Sequence, residues 1–153
     1  GPRRKVNRQP KSYAFLKRRL DATFSEYVRR RFIIGAKPEL AGTRFSDCNG
    51  LVTCVSCFAV KHWKSMHAGH FVSRVRLATR WDVENCAPQC PKCNVLLRGN
   101  AVGYSRWLVD RYGQDIFAIL EERSRRTVKF TRADLQAKID EFKEKLKGLP
   151  CSR

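Results

Sequence analysis

The chain has no apolar run close to the roughly 18 to 20 residues that a membrane-crossing helix requires, so no membrane span or membrane partner is expected. Its first 20 residues are basic and polar, with no apolar stretch of the kind a secretory signal carries. Gly1-Pro2 reads as the scar of a removed tag, and residues 1–11 are set apart from the fold as that scar plus a basic arm. No internal repeat and no low-complexity segment breaks up the remainder. Residues 12–153 are therefore read as one domain, which suits a chain of 153 residues. Histidine is scarce as well: His62, His67 and His70 are the only three.

Acid is the other scarcity. Fourteen Asp and Glu face 32 Lys and Arg, which gives a net charge of +18. Such a balance points to a polyanionic partner, and nucleic acid is the default one. The basic surplus is steepest over residues 1–31, where 11 Lys or Arg meet only Asp21 and Glu26. The same segment holds an apolar stripe, Tyr13, Leu16, Leu20, Phe24, Tyr27 or Val28, and Phe32. Those spacings of three and four predict a helix from Ser12 as N-cap to about Phe32, with one greasy and one basic face.

Hydrophobic residues make up 42% of the chain, enough to build a core. Residues 35–53 read as loop, and 51–57 as a strand turning into a metal knuckle. Residues 58–63 and 69–76 are expected to pair as a hairpin, while 79–89 reads as irregular. Helices are expected over about 91–97, 102–112, 115–123 and 132–147, the last capped by Thr131 with Asp134 three residues on. The apolar stripe of that last helix is Leu135, Ile139, Phe142 and Leu146, which suits core packing or a dimer seam.

Seven cysteines could suggest a disulfide scaffold, but the count is odd and no signal peptide is visible. Four of the seven form two Cys-x-x-Cys pairs, Cys54/Cys57 and Cys90/Cys93. Two such pairs supply four thiolates for a tetrahedral structural Zn²⁺ in a reducing compartment. Cys48, Cys86 and Cys151 have no partner at ligand spacing. The 32 residues between Cys57 and Cys90 exceed a simple ribbon-type finger, so something is built inside the loop. His67-Ala-Gly-His70 lies there, and Asn94 follows the last cysteine directly. A histidine on a hairpin, packed on a helix that carries a side-chain oxygen ligand, is a one-metal nuclease arrangement. The histidine would deprotonate water, and a hard cation such as Mg²⁺ would meet the phosphate. Asn94 as a plain helix cap is the competing reading.

Cys54-Val-Ser-Cys57, His67-Ala-Gly-His70-Phe71, Arg80-Trp-Asp-Val-Glu-Asn85, Gln89-Cys-Pro-Lys-Cys93-Asn94 and Arg98-Gly-Asn100 together resemble the lambdoid phage NinG/Rap recombination nucleases. Those belong to the HNH, or ββα-metal, class and are similar to resolvases of the endonuclease VII type. The likeness runs from about residue 10 to 149. It implies an α+β fold: a zinc-stapled ββα-metal (HNH/His-Me finger) core at 51–100, flanked by N-terminal and C-terminal helices. By resemblance, Cys54, Cys57, Cys90 and Cys93 hold zinc, His70 is the general base and Asn94 a ligand of the catalytic cation. Asn85 braces the loop that bears the base. His67 stands where the family pattern has Asp, and as a nitrogen ligand it favours Mn²⁺ over Mg²⁺.

The implied activity is structure-selective cleavage of branched DNA, Holliday junctions and D-loops, by a metal-dependent endodeoxyribonuclease. A homodimer acting in the cytoplasm of a phage's or prophage's bacterial host, with no small-molecule cofactor, completes the expectation. A nicking or homing-type HNH enzyme acting on duplex DNA, and a non-catalytic zinc module that binds DNA, are the alternatives.

Overall fold

The computed structural model describes residues 10–34 and 49–149. Most of the basic arm, Cys48, Cys151 and most of the expected 35–53 loop lie outside the described residues. The architecture is α+β, with two small antiparallel sheets held among four helices.

Helix α1, Tyr13–Arg30, starts where Ser12 Oγ accepts from the Phe15 N–H at 3.1 Å. It buries Leu16, Leu20, Phe24 and Val28 of the stripe read from the sequence, while Tyr13 stays exposed and Phe32 falls beyond the helix end. That face meets Leu135, Ile139 and Phe142 of α4, Arg132–Lys147, with Phe24 and Phe142 edge-on at 5.0 Å. The two apolar stripes thus seal each other within one chain. Most of both stripes is therefore used within one chain, with Tyr13 left exposed and Leu146 half-buried. Thr131 and Asp134 close a reciprocal capping box at the start of α4.

Strands β1, Leu51–Thr53, and β2, Val60–His62, pair antiparallel across the first cysteine knuckle. Strand β3, His67–His70, pairs instead with β4, Cys86–Gln89, so that His67 faces Gln89 and His70 faces Cys86. The expected hairpin of 58–63 with 69–76 therefore does not form. Two local causes explain this. The knuckle turns β2 straight back onto β1, with Cys54 N–H donating to the Ala59 carbonyl at 2.8 Å. At Val72, the backbone N–H and carbonyl are both bound by the Asn85 side chain, at 2.7 and 3.0 Å, so that residue has no ladder groups to offer.

After β4 comes a single π turn, Lys92–Leu96, then α2, Ala101–Tyr112, and α3, Ile116–Arg125. Helix α2 lies close against the first knuckle because residue 103 is glycine: a Cβ there would collide with the Ser56 carbonyl oxygen. Its Tyr104 and Leu108 pack with Ile116 and Leu120 of α3, with Val55 of the knuckle and with Ala87 of β4. Among the described residues, no helix is long and apolar enough to cross a membrane.

The basic end of α1 is largely spent inside the fold. Arg31 donates to the Val83 and Cys86 carbonyls at 2.6 and 3.2 Å. Arg29 donates to the Trp63 carbonyl and lies 5.1 Å from that indole, and Arg30 pairs with Glu26 at 2.8 Å. The exposed cations of the helical segment are Lys11, Arg18 and Arg19, near its start.

Candidate metal centre and histidine cleft

The two knuckles bring Cys54, Cys57, Cys90 and Cys93 together, all four sulfurs lying within 4.8 Å of one another. None is in a disulfide. The Cys57 and Cys90 sulfurs are 3.7 Å apart, matching the roughly 3.8 Å edge of a tetrahedron built from 2.3 Å Zn–S bonds. Each knuckle is tied by its own backbone: Phe58 N–H donates to the Cys54 carbonyl and Asn94 N–H to the Cys90 carbonyl, both at 2.9 Å. Asn100 adds a side-chain donor to the Cys93 sulfur at 3.3 Å. Burial pushes the Cys54 and Cys93 thiols up, Cys93 to about 12. At Cys90, burial is outweighed by the Cys93 N–H and neighbouring thiols, which bring it down to about 7. Four thiolates this close concentrate negative charge that a cation would neutralise. The donor set, spacing and second-layer donor all fit structural zinc.

A cleft of about 290 Å³ opens beside β3, lined by Asp21, Phe24, Ser25, Ala68, His70, Ser73, Arg74 and Asn94. His70 ends β3 and is half-buried. Its Nε2 lies 2.8 Å from the Arg80 carbonyl oxygen. A carbonyl only accepts, so Nε2 carries the proton and Nδ1 is left as the basic nitrogen. Burial, helped by the Arg74 and Arg80 charges, holds His70 below its ordinary value despite that bond and the Asp21 carboxylate. Asn94, on the π turn, reaches the same cleft. Its Nδ2 lies 2.9 Å from His67 Nδ1, which leaves Oδ1 without a protein partner among the described residues. His67 thus touches Asn94 but does not line the cleft. His62, the third histidine, is exposed on β2, where its Nδ1 accepts from the Lys64 N–H.

Asn85 is wholly buried. Besides its two bonds to Val72, its Nδ2 donates to the Thr79 carbonyl at 3.1 Å. One side chain thereby closes the loop between β3 and β4 on itself. Gly69, beside the histidine, faces the Gln89 side chain, which a Cβ there would strike. Gln89 is also buried, donating to Ser56 Oγ and to the Gly99 carbonyl, both at 2.7 Å. Tyr104 of α2 donates to the Gly69 carbonyl at 2.8 Å and so pins the end of β3.

Asp21 was legible only as a rare acid on a basic helix. In the fold its oxygens accept from Arg80 Nε and Nη2 at 2.8 and 2.7 Å, from Trp81 Nε1 at 2.9 Å and from Arg74 Nη2 at 3.1 Å. Burial alone would raise its carboxyl, but those hydrogen bonds and the charges of Arg80 and Arg74 hold it below the usual range. Both oxygens are occupied, so Asp21 serves as the anchor of Arg80, whose carbonyl orients His70. Among the described residues, the four cysteines are the only cluster of three or more His, Cys, Asp or Glu placed to share one ion. A cation in the cleft would meet the Asn94 oxygen, and His67, outside the lining and with Nδ1 accepting from Asn94, would join it only by exchanging that hydrogen bond for the metal; both are neutral donors. That set fits a divalent metal completed by an anionic substrate better than a tightly resident ion.

No curated protein and no solved structure matches the chain. A family model described as Bacteriophage Lambda NinG protein matches residues 42–151, from just before the first knuckle through α4. That span is well over half of the 153 residues and contains both cysteine pairs, the histidine strand and Asn94, and by it the chain belongs to the NinG family.

Proposed function

We propose that the protein is a metal-dependent endodeoxyribonuclease that cuts branched DNA recombination intermediates, with β3, β4 and the π turn acting as a ββα-metal, HNH-type element. One observation carries the reading: His70, with its basic Nδ1 set by the Arg80 carbonyl, shares a cleft with Asn94, whose oxygen is free. Membership of a phage family supports a recombination-related role, and the net charge of +18 supports binding through DNA phosphates.

In this mechanism His70 Nδ1 takes a proton from the attacking water, and its lowered basicity keeps it neutral and ready at pH 7. Arg80 keeps the imidazole in place through its carbonyl, and Asp21 keeps Arg80 in place through two short hydrogen bonds. Arg74, more than half exposed at the cleft mouth, is available to a phosphate. Asn94 and His67 would hold a divalent cation, which when bound neutralises charge on the phosphate and on the departing 3′ oxygen. The four cysteines hold zinc and take no part in the reaction.

Cleavage of a four-way junction and of a linear duplex of the same sequence, across a Mg²⁺ and Mn²⁺ series, tests the proposal. Faster cutting of the junction is expected, with Mn²⁺ the better cation because one donor is a histidine nitrogen. Equal rates on both substrates would instead favour a duplex-directed HNH enzyme. No cutting in any cation would favour a zinc module that only binds.

A further inference from the structure

The π turn that carries Asn94 ends in three consecutive apolar residues, Val95 to Leu97, that stand exposed among the described residues. Val95, Leu96 and Leu97 are 59, 77 and 49% exposed. Three consecutive apolar side chains in water are avoided by folded surfaces unless something binds there. Their setting is rigid. Leu97 N–H donates to the Lys92 carbonyl and Gly99 N–H to the Cys93 carbonyl, both at 2.8 Å. Immediately after them, Arg98, Gly99 and Asn100 all adopt positive φ, at 50°, 95° and 40°. Two of these three are not glycine, so the chain accepts backbone strain to make this reversal. The buried Gln89 clamps it through the Gly99 carbonyl and Asn100 through the Cys93 sulfur. The zinc centre thus holds an apolar tip out in solvent, one residue beyond Asn94.

The rim of the tip says what it fits. Lys92 and Arg98 flank it and are exposed. A second copy of a chain at +18 would set like charges against these two, whereas DNA brings phosphates to the cations and bases to the apolar side chains.

We propose that the Val95–Leu97 tip is a wedge that takes up unstacked bases where DNA branches, with Lys92 and Arg98 on the flanking phosphates. This rests on the nuclease reading and supplies what that reading lacks: a physical source of branch selectivity. In an unbroken duplex the wedge would first have to part stacked bases, while at a branch point those faces are already accessible. Val95 follows Asn94 directly in the chain, so the wedge is carried by the same turn that brings Asn94 to the His70 cleft.

The test compares the parent with a Leu96→Ser/Leu97→Ser double variant, both zinc-loaded. The probes are a four-way junction carrying 2-aminopurine at the branch and a linear duplex of the same sequence, without added divalent cation. Both leucines are substantially exposed, so the variant should keep the parent's melting temperature and zinc content. The parent is expected to prefer the junction and to raise the probe's fluorescence. In the variant the rise is lost and the junction-to-duplex affinity ratio falls about tenfold, the loss that one uncovered leucine contact implies. A variant that keeps both the rise and the ratio overturns the wedge. So does an equal loss on both DNAs, or a parent dimer that the substitutions turn into monomer with the ratio intact. A parent that binds neither DNA overturns the nuclease reading along with the wedge, and its own titration tells that failure apart from the others.

Discussion

The tetracysteine centre and the histidine cleft both border the β3–β4 pair and are built in opposite ways. The first draws four identical ligands from two knuckles, each closed by a hydrogen bond between residues four apart. The second depends on partners far apart in the chain: α1 supplies Asp21, the β3–β4 loop supplies Arg80, and α2 supplies Tyr104. One is a staple that the local sequence dictates; the other is a product of the whole fold. Damage to the staple should therefore abolish structure, while damage around the cleft should spare structure and lower activity by degrees.

Zinc removal is the largest expected effect. Structural zinc contributes about 10 to 16 kcal/mol of binding free energy, as much as the whole stability of a typical domain, about 5 to 15 kcal/mol. Verified removal should abolish cooperative melting and most helicity by circular dichroism. Full helicity without zinc would erase the distinction between the two regions.

Asp21→Asn comes next. Losing the charge leaves Arg80, only 12% exposed, without its anion, at a cost of roughly 2 kcal/mol and several degrees of melting temperature. Because Arg80 then holds His70 less firmly, kcat should fall about tenfold with KM unchanged, the signature of lost orientation. A fall in stability with kcat intact would limit Asp21 to a structural part. In the parent, a depressed Asp21 adds stability that is present above its unfolded value of about 3.9 and lost as pH falls through the lower native value. Acid unfolding of Asp21→Asn should accordingly be less steep.

The pH profile of cleavage sharpens the cleft's half of the contrast. With His70 held below its ordinary 6.5, the neutral base survives below that pH. The acid limb of kcat/KM should therefore fall below 6.5, and a limb above it would mean that another group is titrating. Thr131→Ala should have the smallest effect. Losing the capping box of α4 costs about 1 kcal/mol in thermal melting, and junction cleavage should not change, since α4 supplies nothing to the cleft.

The same contrast governs what the sequence could tell. Cysteine spacing announced the staple because its geometry is local. The stripe and cap of α4 placed that helix at 132–147, its observed bounds. Strand pairing was misread because β1 to β4 have only three or four residues each. Pro88 and Gln89 disguised β4 as loop, yet Pro88 sits in the ladder opposite Ala68 and its carbonyl accepts from Val55. His70 and Asn94 of the cleft, and His67 beside it, were visible as residues. That Asn94 meets His67, while His70 turns to Arg80, followed only from the β3–β4 register. Asp21 and Arg80, 59 residues apart, had no sequence signal linking them.

The central claim is that zinc builds the fold while His70 and Asn94 do the chemistry. The most direct test measures zinc content, junction binding and junction cleavage together for His70→Ala and Asn94→Ala. Both variants should carry the parent's zinc and bind the junction as it does, while cleavage falls by about 10² to 10⁴ for His70→Ala and comparably for Asn94→Ala. Parent-like cleavage by either variant would contradict the account.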